Sequence, residues 1–360
     1  MHRRYRRGVA VVGLAAVVAA LGSSAALAGT TVKPVLPYAG TKSIDVGSKG
    51  QVLVATDNGG QAPVELKALW PNGDVTTVAT LPAGSTVGAA SAKSWITWVL
   101  YAGSEVPGAE TTSLWKVDRW GNASFVKDLA AYEANHPDPY DQDGDAQATN
   151  PYDLEAMPDG SALVADAQHN ALLRVWPKGY TRTVACFPTQ PVSTERSPVP
   201  DLPPYMNAES VPTGVSLGPD GYAYVSELRG FPFALGTSRV WRVDPGARGA
   251  GCNGSIGHVV KPGTVVERGF NGINDVAVGD DGSLYVLELN RDGVLAAEEA
   301  FTDPSTQQGM GRLTHITPSG DRHRVAEGQL SFPGGVAVNR WGTLYVTDMF
   351  LFGGPLLRIR

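Results

Sequence analysis

The side chains with the clearest chemical potential in this sequence are carboxylates that recur at intervals of about sixty residues. Four turns align on Gly160, Gly221, Gly282 and Gly342, which lie 61, 61 and 60 residues apart. An acid stands six residues after each glycine, and an aspartate stands seven residues before two of them. These candidates are Asp153, Asp166, Glu227, Asp275, Glu288 and Asp348, with Thr56 and Asp57 at a similar place in an earlier unit. If the innermost strands of the repeats line a channel, the acids ring one mouth of it and favour a cation or polar ligand.

A structural role competes with ligand binding at these positions. An acid at a strand end accepts hydrogen bonds from nearby backbone N–H groups, and such a device recurs with the repeat. We favour this interpretation for the four acids that follow the glycines. Asp153 and Asp275 recur less regularly, which makes them the better candidates for a site.

A second acidic cluster is a candidate calcium site. Asp141, Asp143 and Asp145 alternate with other residues in Asp138-Pro-Tyr-Asp-Gln-Asp-Gly-Asp. Hard carboxylate oxygens suit Ca²⁺, so a bound Ca²⁺ is the cofactor that this loop predicts. The spacing is not that of an EF-hand, because the twelfth position counted from Asp141 is Tyr152. The alternative is a solvated acidic loop.

Standard catalytic motifs are absent from the sequence. It contains no Gly-x-Ser-x-Gly, no His-Glu-x-x-His and no phosphate-binding loop. The histidines after the first thirty residues are His136, His169, His258, His315 and His323, and their sequence separations match no metal motif. His169 follows Asp166 and could face the channel mouth, although a surface position is the favoured interpretation.

Cys186 and Cys252 are the only cysteines. Each follows the third strand of a unit, and the two units are consecutive, so the cysteines could be neighbours. An exported chain favours a disulfide between them. Two free thiols are the alternative.

The elements that position these residues are short strands in a repeating order. Val215 and Leu217 alternate before Gly221, and a strand-like run from Ala223 to Val225 follows it. A third and a fourth strand-like run complete the unit, and four antiparallel strands make a propeller blade. Two weaker units precede the four clear ones. The sequence therefore predicts an all-β fold, a six-bladed β-propeller over residues 29–360, with a jelly roll or sandwich as the alternative.

The last unit has only three strands of its own. Its third strand is Leu356 to Ile359, and one more strand is needed to avoid an open edge. The run from Thr31 to Leu36 has a strand-like sequence. We therefore expect this N-terminal strand to pair with the last unit and close the ring.

Residues 1–28 have the organisation of a signal peptide. Arginines at positions 3, 4, 6 and 7 precede an apolar run, and Ala26-Leu-Ala28 is a small-x-small cleavage site. An uncleaved anchor is the alternative. Cleavage removes four arginines and no acids, so the formal net charge changes from −6 to −10. We therefore expect a secreted or extracytoplasmic protein that binds neither nucleic acid nor, after cleavage, the membrane.

Several motifs resemble the ScyD/ScyE family. The best-marked segment runs from residue 150 to residue 175 and contains Asn150-Pro-Tyr-Asp-Leu, Asp159-Gly160, Val164-Ala-Asp-Ala and Asn170-Ala-Leu-Leu-Arg-Val175. Three shorter matches are Val211-Pro-Thr-Gly-Val, Gly230-Phe-Pro-Phe233 and Phe332-Pro-Gly-Gly-Val. The resemblance implies an NHL-like propeller over nearly the whole chain but no agreed enzymatic activity. The chain departs from the family pattern at Asp153, where glycine is usual, and in the weak second unit.

Two functions follow from these observations. The first is a non-catalytic scaffold outside the cytoplasm that binds a small molecule or a protein through long loops on a rigid ring. The second is a metal-dependent lactonase or esterase, in which Asp153, Asp275 and neighbouring acids hold a divalent ion that activates water. The absence of a nucleophile–base pair favours the first.

Overall fold

The computed structural model describes residues 30–37, 40–56, 60–91, 95–102, 106–252, 261–302 and 309–360. The predicted signal peptide, Asp57 and His258 lie outside the described residues, and the division at residue 28 stays a prediction. Residues 31–360 form one unit.

The strands follow the predicted order. Strand β1 is Val32–Leu36. Blade 1 contains β2 (Asp45–Val46), β3 (Val52–Ala55), β4 (Pro63–Leu69) and β5 (Val75–Ala83). Blade 2 contains β6 (Thr86–Ser91), β7 (Thr97–Tyr101), β8 (Ser113–Val117) and β9 (Ala123–Asp128). Helix α1 (Leu129–Glu133) leads into blade 3, which contains β10 (Pro151–Ala156), β11 (Ala162–Asp166), β12 (Ala171–Val175) and β13 (Thr181–Cys186).

The second half repeats this arrangement with two additions. A separate hairpin, β14 (Gln190–Ser193) and β15 (Tyr205–Ala208), precedes blade 4. Blade 4 contains β16 (Pro212–Leu217), β17 (Ala223–Glu227), β18 (Ser238–Val243) and β19 (Thr264–Phe270). Blade 5 contains β20 (Ile273–Val278), β21 (Leu284–Glu288), β22 (Arg312–Ile316) and β23 (Arg322–Val325), with helix α2 (Val294–Thr302) between β21 and β22. Blade 6 contains β24 (Val336–Val338), β25 (Leu344–Thr347), a 3₁₀ turn (Phe350–Phe352) and β26 (Leu356–Ile359).

The described residues confirm an all-β, six-bladed propeller with four antiparallel strands in each blade. The aligned glycines adopt positive φ angles of 86°, 78°, 84° and 75°, the left-handed conformation that the tight turns between first and second strands require. Each innermost strand contacts the innermost strand of the next blade, from β2 to β24 and back to β2. We call the face that carries these glycine turns the turn face.

The N-terminal strand closes the ring, as predicted. Val32 pairs with Ile359 and Lys33 with Arg358, so β1 is the outermost strand of blade 6. Backbone hydrogen bonds between Thr31 and Arg360, of 2.8 and 3.1 Å, extend the pairing by one residue.

The core is divided among the blade interfaces. Each pair of neighbouring blades encloses its own cluster of buried apolar side chains; Trp98 and Leu154, for example, belong to the cluster between blades 2 and 3. The ring therefore derives most of its apolar burial from contacts between blades, as repeat folds do.

A disulfide joins blades 3 and 4. Cys186, the last residue of β13, is bonded to Cys252 in the connection between β18 and β19, with 4.8 Å between the Cα atoms. The predicted pairing is confirmed, and the free-thiol alternative is excluded. Closing a loop of 66 residues contributes about 4 kcal/mol in the chain-entropy treatment. A disulfide indicates an oxidising compartment. Among the described residues, no helix is long and apolar enough to cross a membrane.

Candidate functional site

Polar side chains and glycines alternate around the axis of the ring. At one equivalent position of the innermost segments, blades 1 to 6 carry in turn Ser43, Gly88, Asp153, Gly214, Asp275 and Gly335. In blades 2 to 5 this position follows a bulge in the pairing of the first and second strands. Blades 1, 3 and 5 therefore each extend a polar side chain toward the axis.

The glycines at the alternate positions make room for those side chains. A Cβ atom on Gly214 would lie 2.6 Å from Oδ1 of Asp275, and one on Gly88 would lie 2.7 Å from Oγ of Ser43. A Cβ atom on Gly335 would lie 2.8 Å from Cα of Ser43. Such distances are too short for a Cβ atom, so at this position of the six blades only blades 1, 3 and 5 carry a side chain.

Asp153 connects three blades through hydrogen bonds. Its Oδ1 accepts from the hydroxyl of Ser43 in blade 1 and, at 2.7 Å, from the backbone N–H of Leu154. Its Oδ2 accepts from the backbone N–H of Val215 in blade 4 at 2.6 Å. Both carboxylate oxygens therefore serve to hold the inner strands together.

Asp275 repeats this arrangement two blades further on. Its Oδ1 accepts from the backbone N–H of Val276, and its Oδ2 accepts from that of Val336 in blade 6, both at 2.7 Å. Each aspartate thus satisfies an inner-strand N–H group of the following blade that would otherwise face the axis without a partner.

The pKa values of both aspartates are raised in the folded chain. Burial raises the pKa of Asp153 to about 6. Burial, followed by the negative charge of Asp153, raises the pKa of Asp275 well above its usual range. The interaction between the two side chains lowers the pKa of Asp153 and raises that of Asp275.

The pair forms one end of a cavity of about 460 Å³ along the axis, which we call the axial cavity. Its walls are inner-strand residues, and its far end is formed by exposed turn residues such as Ser48, Pro158 and Pro219, so it opens on the turn face. Its carboxylates are Asp45, Asp153, Glu155, Asp275 and Asp280. The described residues that line it include no lysine, arginine or histidine.

Other side chains cover the pair on the side away from the axial cavity. The hydroxyl of Tyr152 in blade 3 donates to Oδ1 of Asn274 in blade 5 at 2.7 Å. The amide of Asn274 donates in turn to the carbonyl of Gly334 in blade 6 at 2.5 Å. The Lys42 ammonium of blade 1 lies 4.7 Å from the centre of the Tyr152 ring. The axial cavity is therefore a pit with the carboxyl pair at its base.

The regularly spaced acids lie elsewhere, buried near the end of the second strand of each blade. Asp166 accepts from Thr149 Oγ1 at 2.6 Å and from the Asn150 N–H at 2.8 Å. Asp348 likewise accepts from the N–H groups of Ser331 and Phe332.

The two glutamates of this set have basic partners as well. Glu227 accepts from Ser210 and Trp241 and forms ion pairs with Arg229 and Arg239. Glu288 accepts from the Asn271 N–H at 2.8 Å and lies 3.6 Å from Arg312. None of the four acids lines the axial cavity. Ligand binding by them stays a prediction.

The acidic loop turns its carboxylates toward its own backbone. Asp141 accepts from the N–H groups of Gly144 and Asp145, and Asp143 also accepts from that of Asp145. Asp138 is buried and accepts from Asn170 at 2.9 Å. In the described ranges, no group of three or more His, Cys, Asp or Glu residues is arranged to hold a metal ion. A Ca²⁺ site at Asp141, Asp143 and Asp145 stays a prediction.

The expected surface position of His169 is wrong. Its side chain is buried, with Nε2 at 2.7 Å from the carbonyl oxygen of His136 and Nδ1 at 3.3 Å from that of Ala148. The buried carboxyl group of Glu133 lies 3.9 Å from Nδ1 of His169. Burial, and after it the negative charge of Asp166, raises the pKa of Glu133 to about 10. Carbonyl groups of the loop between α1 and β10 cover this histidine. Its position in the sequence, shortly after β11, does not predict this burial.

Sequence reasoning identified Asp153 and Asp275 but missed their partners. Ser43 stands seven residues before Gly50, the same offset as Asp153 from Gly160, so the repeat contained the signal. Tyr152 and Asn274 each stand one residue earlier than an aspartate, but they belong to blades that are not adjacent. Only the closed ring brings them together.

No protein-family model matches the chain, and no curated protein matches it. Solved structures do. A gluconolactonase from Xanthomonas campestris is 12% identical with a TM-score of 0.54, covering 92% of this chain and 90% of its own. The PQQ-bound aldose sugar dehydrogenase from Streptomyces coelicolor is 13% identical with a TM-score of 0.53, covering 93% and 99%. The calcium-binding protein regucalcin from Agrobacterium tumefaciens is 12% identical with a TM-score of 0.50, covering 90% of each chain. At these identities the likeness shows the fold alone.

Proposed function

We propose that this chain is an exported, ScyD/ScyE-like propeller that binds a small cationic ligand in the axial cavity without catalysing a reaction. The ring supplies a rigid frame, and the cavity is a concave site with few, convergent polar groups, as small-molecule sites are. The disulfide between blades 3 and 4 is consistent with a location outside the cytoplasm.

The observation that carries the proposal is the hydrogen bonding of Asp153 and Asp275. All four carboxylate oxygens accept from backbone N–H groups, and Ser43 adds a further donor to Asp153. These bonds give each carboxylate oxygen a structural role that needs no ion. The carboxylates thus support the ring, and the remaining chemistry of the cavity is its negative charge.

That charge defines the class of ligand. Asp45 and Glu155 lie on the wall and Asp280 at the exposed rim, with no basic side chain among the described lining residues. A low-dielectric pit lined by acids attracts cations and repels anions. A volume of about 460 Å³ accommodates a molecule with several non-hydrogen atoms, such as a diamine or a quaternary amine.

A titration with simple cations tests this proposal. We expect putrescine or tetramethylammonium to bind with one-to-one stoichiometry by isothermal titration calorimetry, whereas gluconate does not bind. The double variant Glu155→Gln/Asp280→Asn removes two wall and rim charges, and we expect it to weaken binding about tenfold, or about 1.4 kcal/mol. The control is the double variant Asp201→Asn/Glu195→Gln. It removes the same number of negative charges, at positions that do not line the cavity.

The control pair separates site binding from bulk charge. Unchanged affinity in Asp201→Asn/Glu195→Gln with a loss in the cavity variant supports the axial cavity. Equal losses in both variants, or no binding of any cation, would contradict the proposal.

A metal-dependent lactonase remains the second candidate. A buried carboxyl pair with raised pKa values faces a cavity in a fold that the Xanthomonas gluconolactonase also has, and two such carboxyls can act as base and metal ligand. Hydrolysis of glucono-lactone above the spontaneous rate that requires added metal, and that Asp153→Asn abolishes, would establish this candidate in place of the first.

A further inference from the structure

In blades 3 and 4, an aspartate in the glycine turn forms an ion pair with an arginine on the third strand of the same blade. In blade 3, Asp159 of the glycine turn lies 2.7 Å from Arg174 on β12. In blade 4, Asp220 of the equivalent turn lies 2.7 Å from Arg242 on β18. Both aspartates directly precede the aligned glycine, so an arginine on the third strand is the partner that this position usually meets.

Blade 5 keeps the aspartate and replaces the arginine with an imidazole. Asp281 precedes Gly282, and the residue at the arginine position on β22 is His315. His315 pairs directly across the strands with His323 on β23. Directly opposed residues of antiparallel strands lie on the same face, so the two imidazoles are neighbours despite their separation in sequence.

The spacing of the two rings suits one bridging ion. Their centroids are 6.0 Å apart, with an interplanar angle of 41°. A metal–nitrogen bond is about 2.0–2.1 Å long, and each nitrogen lies about 1.1 Å from its ring centre. An ion on the line between two imidazoles therefore allows a centroid separation of up to about 6.4 Å. The observed separation lies within that limit.

One nitrogen of the pair has no partner. Nε2 of His315 is buried and forms no hydrogen bond with any described residue. The His315 ring stacks on Tyr285, with 4.7 Å between centroids and an interplanar angle of 10°, which holds the imidazole in place. A buried imidazole nitrogen without a partner is costly, and a metal ion satisfies it.

Neighbouring charges do not oppose an ion at this place. Arg322 forms an ion pair with Glu267 of blade 4, and Arg324 donates to Thr314, so both guanidinium groups are engaged elsewhere. They flank His323 in sequence and therefore lie on the opposite face of β23.

We propose that His315 and His323 form a two-imidazole site for a divalent transition metal on blade 5. Imidazole ligands suit Cu²⁺, Ni²⁺ and Zn²⁺, and Cu²⁺ binds most tightly in that series. Since the described residues contain no convergent group of three protein ligands, water completes the coordination. The site lies on the outer strands and is independent of the axial cavity.

The test uses tag-free protein that begins at residue 29, which removes His2, and CuCl₂ as the probe. We expect one Cu²⁺ per chain by calorimetry and two equatorial nitrogens by electron paramagnetic resonance. His323 is exposed, so His323→Gln should fold normally and weaken Cu²⁺ binding about 100-fold.

A matched control is available in the connection between α1 and blade 3. His136 is exposed and stacks on Tyr132, away from blade 5, so His136→Gln should leave Cu²⁺ affinity and the two-nitrogen spectrum unchanged. Unaltered affinity in His323→Gln, a spectrum with fewer than two nitrogens in the parent chain, or loss of binding in His136→Gln would each overturn the proposal.

Discussion

A chain that begins at residue 38 should melt at least about 10 °C below one that begins at residue 29, as measured by circular dichroism. The shorter chain lacks β1, so β26 becomes an unpaired edge and the buried side chain of Leu36 is lost. Loss of a strand of hydrogen bonds and of this burial costs about 5 kcal/mol. An open ring also exposes a pairing edge, so we expect the shorter chain to associate in solution.

Two comparisons separate ring closure from the loss of particular side chains. Lys33 and Pro34 are exposed, so Lys33→Ala should change the melting temperature little. A synthetic peptide of residues 30–37 added in excess should raise the melting temperature of the shorter chain. Equal melting of the long and short chains would show that β1 does not support the ring.

Asp275→Ala should lower the free energy of unfolding by about 4 kcal/mol. The substitution leaves the inner N–H groups of Val276 and Val336 without acceptors. Asp280→Ala is the control, because that carboxylate lies at the exposed rim of the same cavity. Chemical denaturation of both variants measures the difference, and similar small effects would contradict the role we assign to Asp275.

The same pair makes stability depend on pH. The pKa of Asp153 is raised to about 6 in the folded chain, whereas an unfolded aspartate titrates near about 3.9. The folded state therefore binds more protons over this interval, so stability is greatest below about pH 4 for this pair and declines as the pH rises through about 6. The raised pKa of Asp275 extends the decline to higher pH. Asp275→Asn, which cannot ionise, should reduce that slope.

The repeating pattern of glycines and apolar residues made most of the fold predictable. The glycine period and the alternating apolar residues determined the blade hairpins, and the incomplete last unit predicted the pairing of Thr31 to Leu36 with β26. These features are local or periodic, so a single sequence contains them. The disulfide followed from the same period, because Cys186 and Cys252 occupy adjacent blades.

The candidate site was only partly predictable, because its contacts cross the ring. Asp153 stood out by its offset from Gly160, but its hydrogen bonds to Ser43 and Val215 depend on closure and on glycine at the intervening positions. The histidine pair was hidden for another reason. His315 and His323 are eight residues apart, which matches no metal motif, and only the register of the β22–β23 hairpin places them together.

A crystal structure determined near pH 7 in the presence of excess Ca²⁺ tests the central claim most directly. We expect that Asp153 still accepts from the Val215 N–H and Asp275 from the Val336 N–H, with no ion between the two carboxyls. A Ca²⁺ ion bound to both carboxylates at about 2.3–2.6 Å would contradict this expectation.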